Sequence, residues 1–571
     1  MDPVTLEVIR SSLEYIAEEM GVVLRNSAYS PNIKERMDHS CAIFDDRRRL
    51  VAQAEHIPVH LGSMAYAVGK GLEELGEELE EGDVLFFNDP YVSGTHLPDV
   101  TMVAPVYREE ELVAYVANKA HHSDVGGMAP GSMPGDATEL IQEGIVVPPV
   151  KLVRRGRIDE SVLRIFLSNV RTPKTRLGDI RAQVAALKVG AKRVAKVVGK
   201  YGLSTFKEAL EELLNYSERR MRAEISKMPK GVAEAEDVLE STGPSEEELV
   251  IRVRVAVGEG EISFDYSGTS EQVEGPVNAA YGVTLSGVFY VLMCVTDPTI
   301  PVNHGCFRAV SVRVPEGTIL NPTKPAPVGG GNVETSQRNV DVLFKAFSQI
   351  VPEKVCAAGQ GTMNNVCIGG TKPSGEQWTF YETIGGGYGG RKGLDGLDGV
   401  HVHMTNTMNT PIEVVEANFP LLFLSYKLRE DSGGAGRWRG GCGIERSWKL
   451  LSGSATLSLM AERTKVPPYG LFGGKPGAKG VFYVIKPGGR KLKLKSKCTV
   501  RLSEGDVFVA RTPGGGGYGD PKERDLRLLV EDLLEGKVSV RALKEDYGLG
   551  EEKLAKVLEK ASKLGLRRWQ P

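Results

Sequence analysis

Histidine and cysteine are scarce in this chain of 571 residues, and both scarcities are informative. The seven cysteines are odd in number and include no Cys-x-x-Cys pair. This pattern excludes a disulfide framework and a zinc ribbon, and it indicates a reducing compartment. Six of the nine histidines lie before residue 123, so we expect the chemistry to lie in the N-terminal region.

Net charge and long apolar runs are lacking as well. The 71 basic and 74 acidic residues give a formal charge of −3, which excludes a global attraction to nucleic acid or to a membrane surface. No apolar run approaches the roughly 18 residues of a transmembrane helix, and acidic residues interrupt the N-terminal helix, unlike a signal peptide. We expect a soluble, cytoplasmic protein that binds a small molecule and neither nucleic acid nor membrane.

Glycine, by contrast, is abundant. The 67 glycines are roughly an eighth of the chain, against about 7% in an ordinary globular protein, and they show no Gly-X-Y period. This excess indicates tight turns and close approaches of backbone to backbone. The glycines concentrate in loops at residues 125–131, 329–331, 385–399, 433–443 and 514–519.

Hydrophobic periodicity predicts a multidomain α+β fold with mixed sheets, peripheral helices, a β-rich C-terminal region and a helical C-terminal tail. Short apolar runs between residues 40 and 119 predict strands, and the acidic stretch 72–83 predicts the solvated face of a helix. The predicted regions are an N-terminal α+β region with the candidate metal site (1–175), a helical segment (176–245), an α+β region with glycine-rich loops (246–435), a β-rich region (436–521) and C-terminal helices (522–571).

Two His-x-x-Asp units give the strongest chemical signal, HLPD at 96–99 and HHSD at 121–124. Both lie near the ends of predicted strands, and imidazole nitrogen with carboxylate oxygen suits Zn, Mn or Fe(II). Each histidine taken alone is better explained by capping a turn or by a hydrogen bond to a backbone carbonyl, whereas the cluster taken together favours a metal site. The candidate ligands, including one carboxylate from the end of another apolar run, are Asp89, His96, Asp99, His121 and Asp124.

A glycine turn that runs into a predicted helix gives a candidate anion site. Free backbone N–H groups at the start of a helix bind phosphate, carboxylate or an oxyanion. Simple N-capping by Asn332 or Thr335 explains the turn equally well, and both interpretations stay open. The candidate substrate-binding or anion-binding residues are Gly329, Gly330, Gly331 and Asn332.

Three further motifs are second choices. Pro58 inside His56-Ile-Pro-Val-His60 excludes a zincin helix, and the two histidines either line a pocket or hydrogen-bond within a turn. His401 and His403 would share one face if their stretch is a strand, which would suit acid–base chemistry. Cys306, two residues from a histidine, is the one cysteine to test as a nucleophile.

The glycine-rich loops match no nucleotide-binding motif in full. The DVGGM sequence at 124–128 has methionine where actin-like ATPases carry a hydroxyl. The GGGYGG sequence at 385–390 is not followed by an apolar helix, which excludes a dinucleotide site. We therefore expect these loops to let backbone approach backbone or to line a cavity, and not to bind a nucleotide.

Taken together and in order, the motifs resemble those of the hydantoinase B/oxoprolinase family. That family includes the B subunit of ATP-dependent N-methylhydantoinase, the C-terminal half of 5-oxoprolinase and the large subunits of acetone and acetophenone carboxylases. The matching segments, spread over nearly the whole chain, include ERMDHSCAIFD, AEHIPVHLGSM, FNDPYVSGTHLPDV, AHHSDVGG, NVRTPKTRLGDIRAQ, GGGNVETSQR, HVHMTNTMNTPIEVVE and TPGGGGYGDP.

The resemblance implies a subunit of a heteromeric enzyme, for example an α2β2 assembly. A hydantoinase A-type ATPase subunit would bind ATP and phosphorylate a lactam or enolate oxygen, and this chain would complete the reaction. The expected function is the B subunit of an ATP-dependent cyclic-amide hydrolase of the hydantoinase/5-oxoprolinase type. The alternatives are the large subunit of an acetone/acetophenone-type carboxylase, acting on a ketone, and a non-catalytic scaffold subunit.

The resemblance also implies a divalent metal, Zn or Mn, held by ligands drawn from the five candidates above. Phosphorylation makes the amide oxygen a leaving group, and a metal lowers the pKa of the attacking water. The Gly329–Gly331 turn would supply N–H donors to an oxyanion. His60 or His122 would move the proton as a catalytic residue, with His122 alternatively a metal ligand or a neighbour of the ligands.

Overall fold

In the computed structural model, which describes residues 1–54 and 56–565, helices pack on sheets. The prediction of mixed sheets holds for one of the four sheets in this described part, which contains a single parallel strand pair, while the other three are antiparallel. The predicted α+β class, the β-rich C-terminal region and the helical tail are confirmed. The last six residues of the predicted tail, 566–571, lie outside the described residues. Within the described part of the chain, no helix is both long and apolar enough to cross a membrane.

The N-terminal sheet carries the candidate site. Its strand order is β2-β1-β5-β4-β3-β6-β7, and the strands predicted between residues 40 and 119 are confirmed as β1 to β5. The strands are β1 (His39–Asp45), β2 (Leu50–Gln53), β3 (Val84–Phe87), β4 (Asp99–Arg108), β5 (Glu111–His121), β6 (Val150–Arg154) and β7 (Arg157–Ile158).

Helices cover both faces of this sheet, which is why its strands are nearly continuous apolar runs. Ile9 and Leu187 pack in the core on one face, and Met64 and Val68 pack in the core on the other. The third helix ends at Leu75, so the helix predicted across 72–83 is shorter than expected. The helices are α1 (Pro3–Ser27), α2 (Pro31–Lys34), α3 (His60–Leu75), α4 (Pro90–Ser93), α5 (Glu160–Ser168), α6 (Pro173–Tyr201) and α7 (Leu203–Lys227).

A second sheet, of order β11-β10-β9-β8, has one face buried and one exposed. Ile251, Val253 and Val255 of β9 are buried while the arginines between them are exposed, as their alternation predicts. The segment predicted as helical up to residue 245 ends in strand β8. The elements are β8 (Gly231–Leu239), β9 (Leu249–Val257), β10 (Ile262–Asp265), α8 (Tyr281–Val295), β11 (Val310–Arg313) and α9 (Ser336–Phe347).

Two antiparallel sheets, of orders β13-β12-β16-β19 and β14-β15-β20-β17-β18, share the core of the C-terminal region. Their strands are β12 (Asn365–Thr371), β13 (Gln377–Glu382), β14 (Leu421–Leu428), β15 (Ile444–Leu450), β16 (Ser454–Met460), β17 (Val481–Ile485), β18 (Lys491–Lys493), β19 (Lys497–Ser503) and β20 (Val507–Arg511). The remaining helices are α10 (Ile412–Asn418), α11 (Leu526–Leu534), α12 (Val540–Glu545) and α13 (Glu551–Leu564).

Three glycine-rich segments, 385–399, 433–443 and 514–519, stack into one unit that we call the glycine block. The N–H of Gly441 donates to the carbonyl of Tyr388 at 2.8 Å, and the N–H of Gly515 donates to the carbonyl of Gly441 at 2.9 Å. A Cβ on Gly515 would overlap the carbonyl oxygen of Tyr388, and a Cβ on Gly387 would overlap that of Gly441. These glycines therefore allow backbone to pack directly on backbone.

Replacing a glycine of the block should destabilise the fold through this overlap. We expect Gly515→Ala to lower the free energy of unfolding by about 1–3 kcal/mol, the usual range for overpacking. Urea titration of the full chain measures the change. The matched control is Gly69→Ala in helix α3, where a Cβ meets no atom within 4 Å, so this variant should be neutral or up to about 1 kcal/mol more stable. Equal effects of the two variants would contradict the packing argument.

Candidate metal centre

His96, Asp99 and His121 form a compact buried cluster. Their ligand atoms all lie within 4.8 Å of one another. The Oδ1 atom of Asp99 is 3.2 Å from Nε2 of His96 and 3.1 Å from Nδ1 of His121. His60 completes the group, since its Nε2 atom is 3.5 Å from Oδ2 of Asp99. One carboxylate thus faces three imidazoles.

The pairing of two strands brings these residues together. Asp99 is the first residue of β4 and lies directly opposite His121, the last residue of β5. His96 lies in the turn before β4, where its carbonyl accepts the N–H of Asp99 at 3.0 Å. His60 is the first residue of helix α3. Each side chain therefore sits at the end of an element or in a tight turn, where its position is fixed.

Neighbouring groups fix the orientation of the three imidazole rings. Nδ1 of His96 is 3.2 Å from the carbonyl oxygen of Gly329, to which it donates, so Nε2 is the ring nitrogen that faces the cluster. The ring of His121 stacks on Tyr381 at a centroid distance of 4.5 Å, and Nδ1 of His60 is 2.8 Å from Oγ of Ser40. A backbone carbonyl that holds the second nitrogen of a histidine is typical of metal sites.

Two atoms of the cluster lack partners. Neither Oδ2 of Asp99 nor Nε2 of His121 has a hydrogen-bond partner among the described residues, although both are buried. An unsatisfied buried polar atom costs about 1–3 kcal/mol. The donor set of imidazole nitrogens and a carboxylate oxygen suits Zn or Mn, so the residues present fit a divalent metal.

The cluster keeps Asp99 ionised. Burial raises the pKa of Asp99, but the charge of His96 and hydrogen bonds from the histidines outweigh it and hold that pKa well below its usual range. Burial lowers the pKa of His96, yet Asp99 reverses this and raises it overall. Burial lowers the pKa of His121. The carboxylate is therefore present as an acceptor for a cation or for imidazole N–H groups.

The structure places the two other predicted carboxylate ligands outside the cluster. Asp124 accepts hydrogen bonds from the N–H groups of Gly126 and Gly131, both at 3.1 Å, and pairs with Arg171 at 3.0 Å. Asp89 caps helix α4 and pairs with Lys324 at 2.5 Å. Both carboxylates organise their own loops.

His122 and His60, the predicted catalytic residues, lie apart. His60 belongs to the cluster, whereas His122 contacts helix α6 on the opposite face of the sheet, with Nε2 2.9 Å from Oε1 of Gln183. Burial lowers the pKa of His122 to about 4. The structure therefore does not bring His122 to the cluster.

The predicted anion-binding turn already holds a buried carboxyl group of this chain, that of Glu143. The N–H groups of Val328 and Gly329 donate to Glu143 at 3.0 and 2.8 Å, and the N–H of Gly331 donates to Pro276 at 2.8 Å. The glycine turn thus supports the carbonyl that holds His96, and Glu143 supports the turn. Of the four predicted residues, Asn332 lines the cavity around the cluster.

Sequence reasoning missed three residues of this site. Asp38 and Tyr381 line the same small cavity, of about 20 Å³, and Glu143 supports the glycine turn from 186 residues away. Asp38 lies in the segment ERMDHSCAIFD directly before β1, which was the available signal. Nothing in the local sequence marks Tyr381 or Glu143.

A larger cleft of about 350 Å³ adjoins this cavity and shares Ile57 and His60 with it. His56 also lines the cleft, so both histidines of the HIPVH motif lie at a pocket, one of the two interpretations left open. Neither His401 nor His403 lies in a strand: His401 is in irregular backbone, and His403 is in a turn at φ 47°. Burial raises the pKa of Cys306 to about 12, so its thiol is not activated.

A family model described as hydantoinase B/oxoprolinase matches residues 2–521. The chain belongs to the hydantoinase B/oxoprolinase family. This confirms the resemblance drawn from the motifs. Family relatives align over most of the chain: an uncharacterised protein of Methanocaldococcus jannaschii is 50% identical, covering 96% of each chain.

Two other family relatives have functional names. A protein of a Pseudomonas strain, named as the putative B subunit of a D-/L-hydantoinase, is 34% identical over 96% of this chain and 95% of its own. The 5-oxoprolinase 1 of Arabidopsis thaliana is 37% identical over 91% of this chain. The chain spans 42% of the length of that plant relative.

Two solved structures resemble the whole chain. The ATP-dependent caprolactamase from Pseudomonas jessenii has a TM-score of 0.90 and 30% identity, covering 98% of this chain and 100% of its own. A nucleotide-free acetone carboxylase has a TM-score of 0.91 and 20% identity, covering 100% of this chain and 84% of its own. The second likeness shows a shared fold.

The buried Glu143 should make stability depend on pH. Burial raises its pKa from the ordinary 4.5 to about 7, although two N–H donors oppose the shift. Between these values the unfolded chain releases the proton while the folded chain keeps it, so the free energy of unfolding falls as pH rises through this window. The fall is on the order of 3 kcal/mol for a shift of this size.

The side chain introduced by Glu143→Gln is neutral at every pH. The variant should therefore lack the decrease in the free energy of unfolding that Glu143 causes as pH rises. Urea titrations at pH 5 and pH 8 measure the difference between variant and parent. The matched control is Glu81→Gln at an exposed position, which should behave as the parent does. A Glu143→Gln variant with the unchanged pH dependence would show that the carboxyl is ionised throughout.

Proposed function

We propose that this chain is the B subunit of an ATP-dependent cyclic-amide hydrolase, completing hydrolysis of an amide that a partner subunit has phosphorylated. The observation that carries the proposal is the Asp99 carboxylate faced by three buried imidazoles at the wall of a cleft. The likeness to a caprolactamase over the whole chain supports hydrolysis of a cyclic amide. The acetone carboxylase, at lower identity, supports the fold without supporting carboxylation.

His96, Asp99 and His121 are the proposed ligands of a divalent metal, Zn or Mn. Asp38 lines the same cavity and is a further candidate, whereas Asp89 and Asp124 are engaged in their own loops. When bound, such an ion supplies Lewis acidity toward a carbonyl or phosphoryl oxygen. The carbonyl of Gly329 and the ring of Tyr381 keep two of the ligand imidazoles in place.

His60 is the proposed residue that moves a proton. It borders both the cavity of the cluster and the cleft, so it lies between the ligands and an entering molecule. Its Nδ1 atom contacts the hydroxyl of Ser40 at 2.8 Å and its Nε2 atom faces Asp99. Amide hydrolysis needs a proton on the departing nitrogen, and an imidazole held in this way can deliver it. Asn332, on the cavity wall, is the proposed polar contact to the substrate.

The proposed partner is a hydantoinase A-type ATPase subunit, in an assembly such as α2β2. The sequence contains no complete nucleotide-binding motif, and one relative of matching length is named as the B subunit of a hydantoinase. ATP would therefore bind to the partner, and the phosphorylated amide would enter this chain through the cleft.

The metal proposal is tested by comparing the metal content of variants of two adjacent histidines, His121 and His122, whose side chains lie on opposite faces of the sheet. We expect about one Zn or Mn per chain by elemental analysis, loss of at least nine-tenths of it in His121→Ala, and retention in the control His122→Ala. Circular dichroism checks that both variants are folded. Full metal content in a folded His121→Ala variant would remove this residue from the ligand set.

The reaction is tested by adding the partner subunit. We expect ATP hydrolysis that requires caprolactam or hydantoin, with the ring-opened product detected by mass spectrometry, and at least a hundredfold slower product formation with His60→Ala. Dependence on bicarbonate together with a ketone would favour the carboxylase instead. Turnover unchanged by any variant of the cluster would favour the scaffold.

A further inference from the structure

A second cavity, of about 370 Å³, lies at the start of helix α6. Its volume falls within the range of about 300–1,000 Å³ that is typical of small-molecule sites. The walls also include residues of α2, β13 and α10, and Ser123 from the loop after β5. None of its described lining residues lines the cavity of the metal cluster or the cleft beside His60. The cavity is therefore a separate place on the molecule.

Arg176 brings a buried guanidinium to this cavity. It belongs to the segment NVRTPKTRLGDIRAQ, to which the proposed function assigns no role. The side chain lines the cavity and is fully buried. Its Nε and Nη1 atoms have no hydrogen-bond partner among the described residues. Because a buried charged donor without an acceptor is costly, these atoms point to an acceptor that this chain does not supply.

Asp179 neutralises Arg176 only in part. Its Oδ2 atom is 3.0 Å from Nη2 of Arg176, in an ion pair without hydrogen-bond geometry. Its Oδ1 atom accepts the N–H groups of Tyr29 and Ser30 at 2.9 and 3.0 Å. The carboxylate thus shares its charge between the arginine and the backbone before α2, and the guanidinium keeps donors for a second anion.

The start of helix α6 adds further donors. Thr172, the N-cap residue, makes no capping hydrogen bond through its side chain, and the first turn contains no acidic residue. The partial positive charge of a helix N-terminus is therefore not neutralised within that turn. Oγ1 of Thr172 and Oγ1 of Thr379 are buried without hydrogen-bond partners among the described residues, and both threonines line the cavity.

The carboxylates that line the cavity do not cancel this positive charge. Glu376 is exposed and pairs with Lys372 at 3.2 Å. Glu35 is half-buried, and the exposed Lys34 lines the cavity as well. These four charges are two of each sign and are accessible to water, which screens them. The buried charge of the lining is that of Arg176.

We infer that this cavity binds the phosphate group of a small molecule, held by Arg176, the start of α6 and the hydroxyls of Thr172 and Thr379. Donors from a helix and from a facing strand suit a tetrahedral group with several acceptor oxygens better than a planar carboxylate. Trp378 and Phe419 line the same cavity and offer aromatic surface to an organic substituent. The inference is independent of the proposed function.

Isothermal titration calorimetry on the full chain tests this site. Metals are first removed with EDTA, so that phosphate cannot bind to a metal at the cluster. The probes are inorganic phosphate, phenyl phosphate and benzoate. We expect about one phosphate site per chain, and benzoate at least about tenfold weaker than phenyl phosphate, as loss of one charge-assisted hydrogen bond implies.

The two phosphates distinguish the sources of the ligand. Tighter binding of phenyl phosphate identifies an organic phosphate, and equal affinity identifies free phosphate; both results support the phosphate group. Benzoate that binds as tightly as phenyl phosphate overturns the phosphate class. Absence of saturable binding by either phosphate overturns the site. Neither ATP nor a partner subunit takes part, so this failure would leave the proposed function untouched.

Three variants locate the binding. Arg176→Gln should weaken phosphate binding at least about tenfold, and Thr172→Val about two- to tenfold, as expected for a charged and a neutral donor. The matched control is Arg181→Gln, exposed on the same helix and outside the lining, which should keep the parent affinity. Circular dichroism checks the fold of each variant.

Thr172→Val keeps a similar shape and removes no hydrogen bond present in the structure. It therefore decides the question if Arg176→Gln does not fold. Parent affinity in a folded Arg176→Gln variant, or in Thr172→Val when the arginine variant is unfolded, overturns the proposed position. An equal loss in Arg181→Gln would show a general attraction to positive charge and would overturn it too.

Discussion

The buried carboxylate of Asp99 is the constraint on which the site depends. An ionised group without water must be surrounded by donors or by a cation, and the register between β4 and β5 supplies His121 directly opposite. The turn before β4 supplies His96 and the first turn of α3 supplies His60. The helices on both faces of the sheet strengthen these interactions, because they exclude the water that would otherwise weaken them.

The sequence was sufficient to predict the fold class, the strands that carry the site and the cluster residues His96, Asp99 and His121. These residues follow or precede short apolar runs, so strand ends could be read locally. Asp124 and Asp89 lie next to short apolar runs just as the cluster residues do, yet their carboxylates cap nearby N–H groups. Local sequence cannot separate these roles, because a carboxylate in a turn suits a backbone donor as well as a metal.

Contacts between distant segments account for what sequence reasoning missed. Glu143 contacts the glycine turn across 186 residues of sequence, and no pattern in either segment predicts this contact. The placement of His122 depends on where β5 ends, since one residue decides which face of a sheet a side chain occupies. The turn predicted to bind an anion instead holds the buried carboxyl group of Glu143 from the chain itself.

The glycine block packs through its main chain, so its sequence can change little, whereas residues that pack through side chains can be exchanged. Its contacts run between main-chain atoms, so it offers few side chains whose exchange could adjust the position of Tyr388. The cleft beside His60, in contrast, is lined by side chains such as Met64 and Met293 that tolerate exchange. Exchange of such side chains can reshape the cleft beside His60 while the main-chain packing of the glycine block stays unchanged.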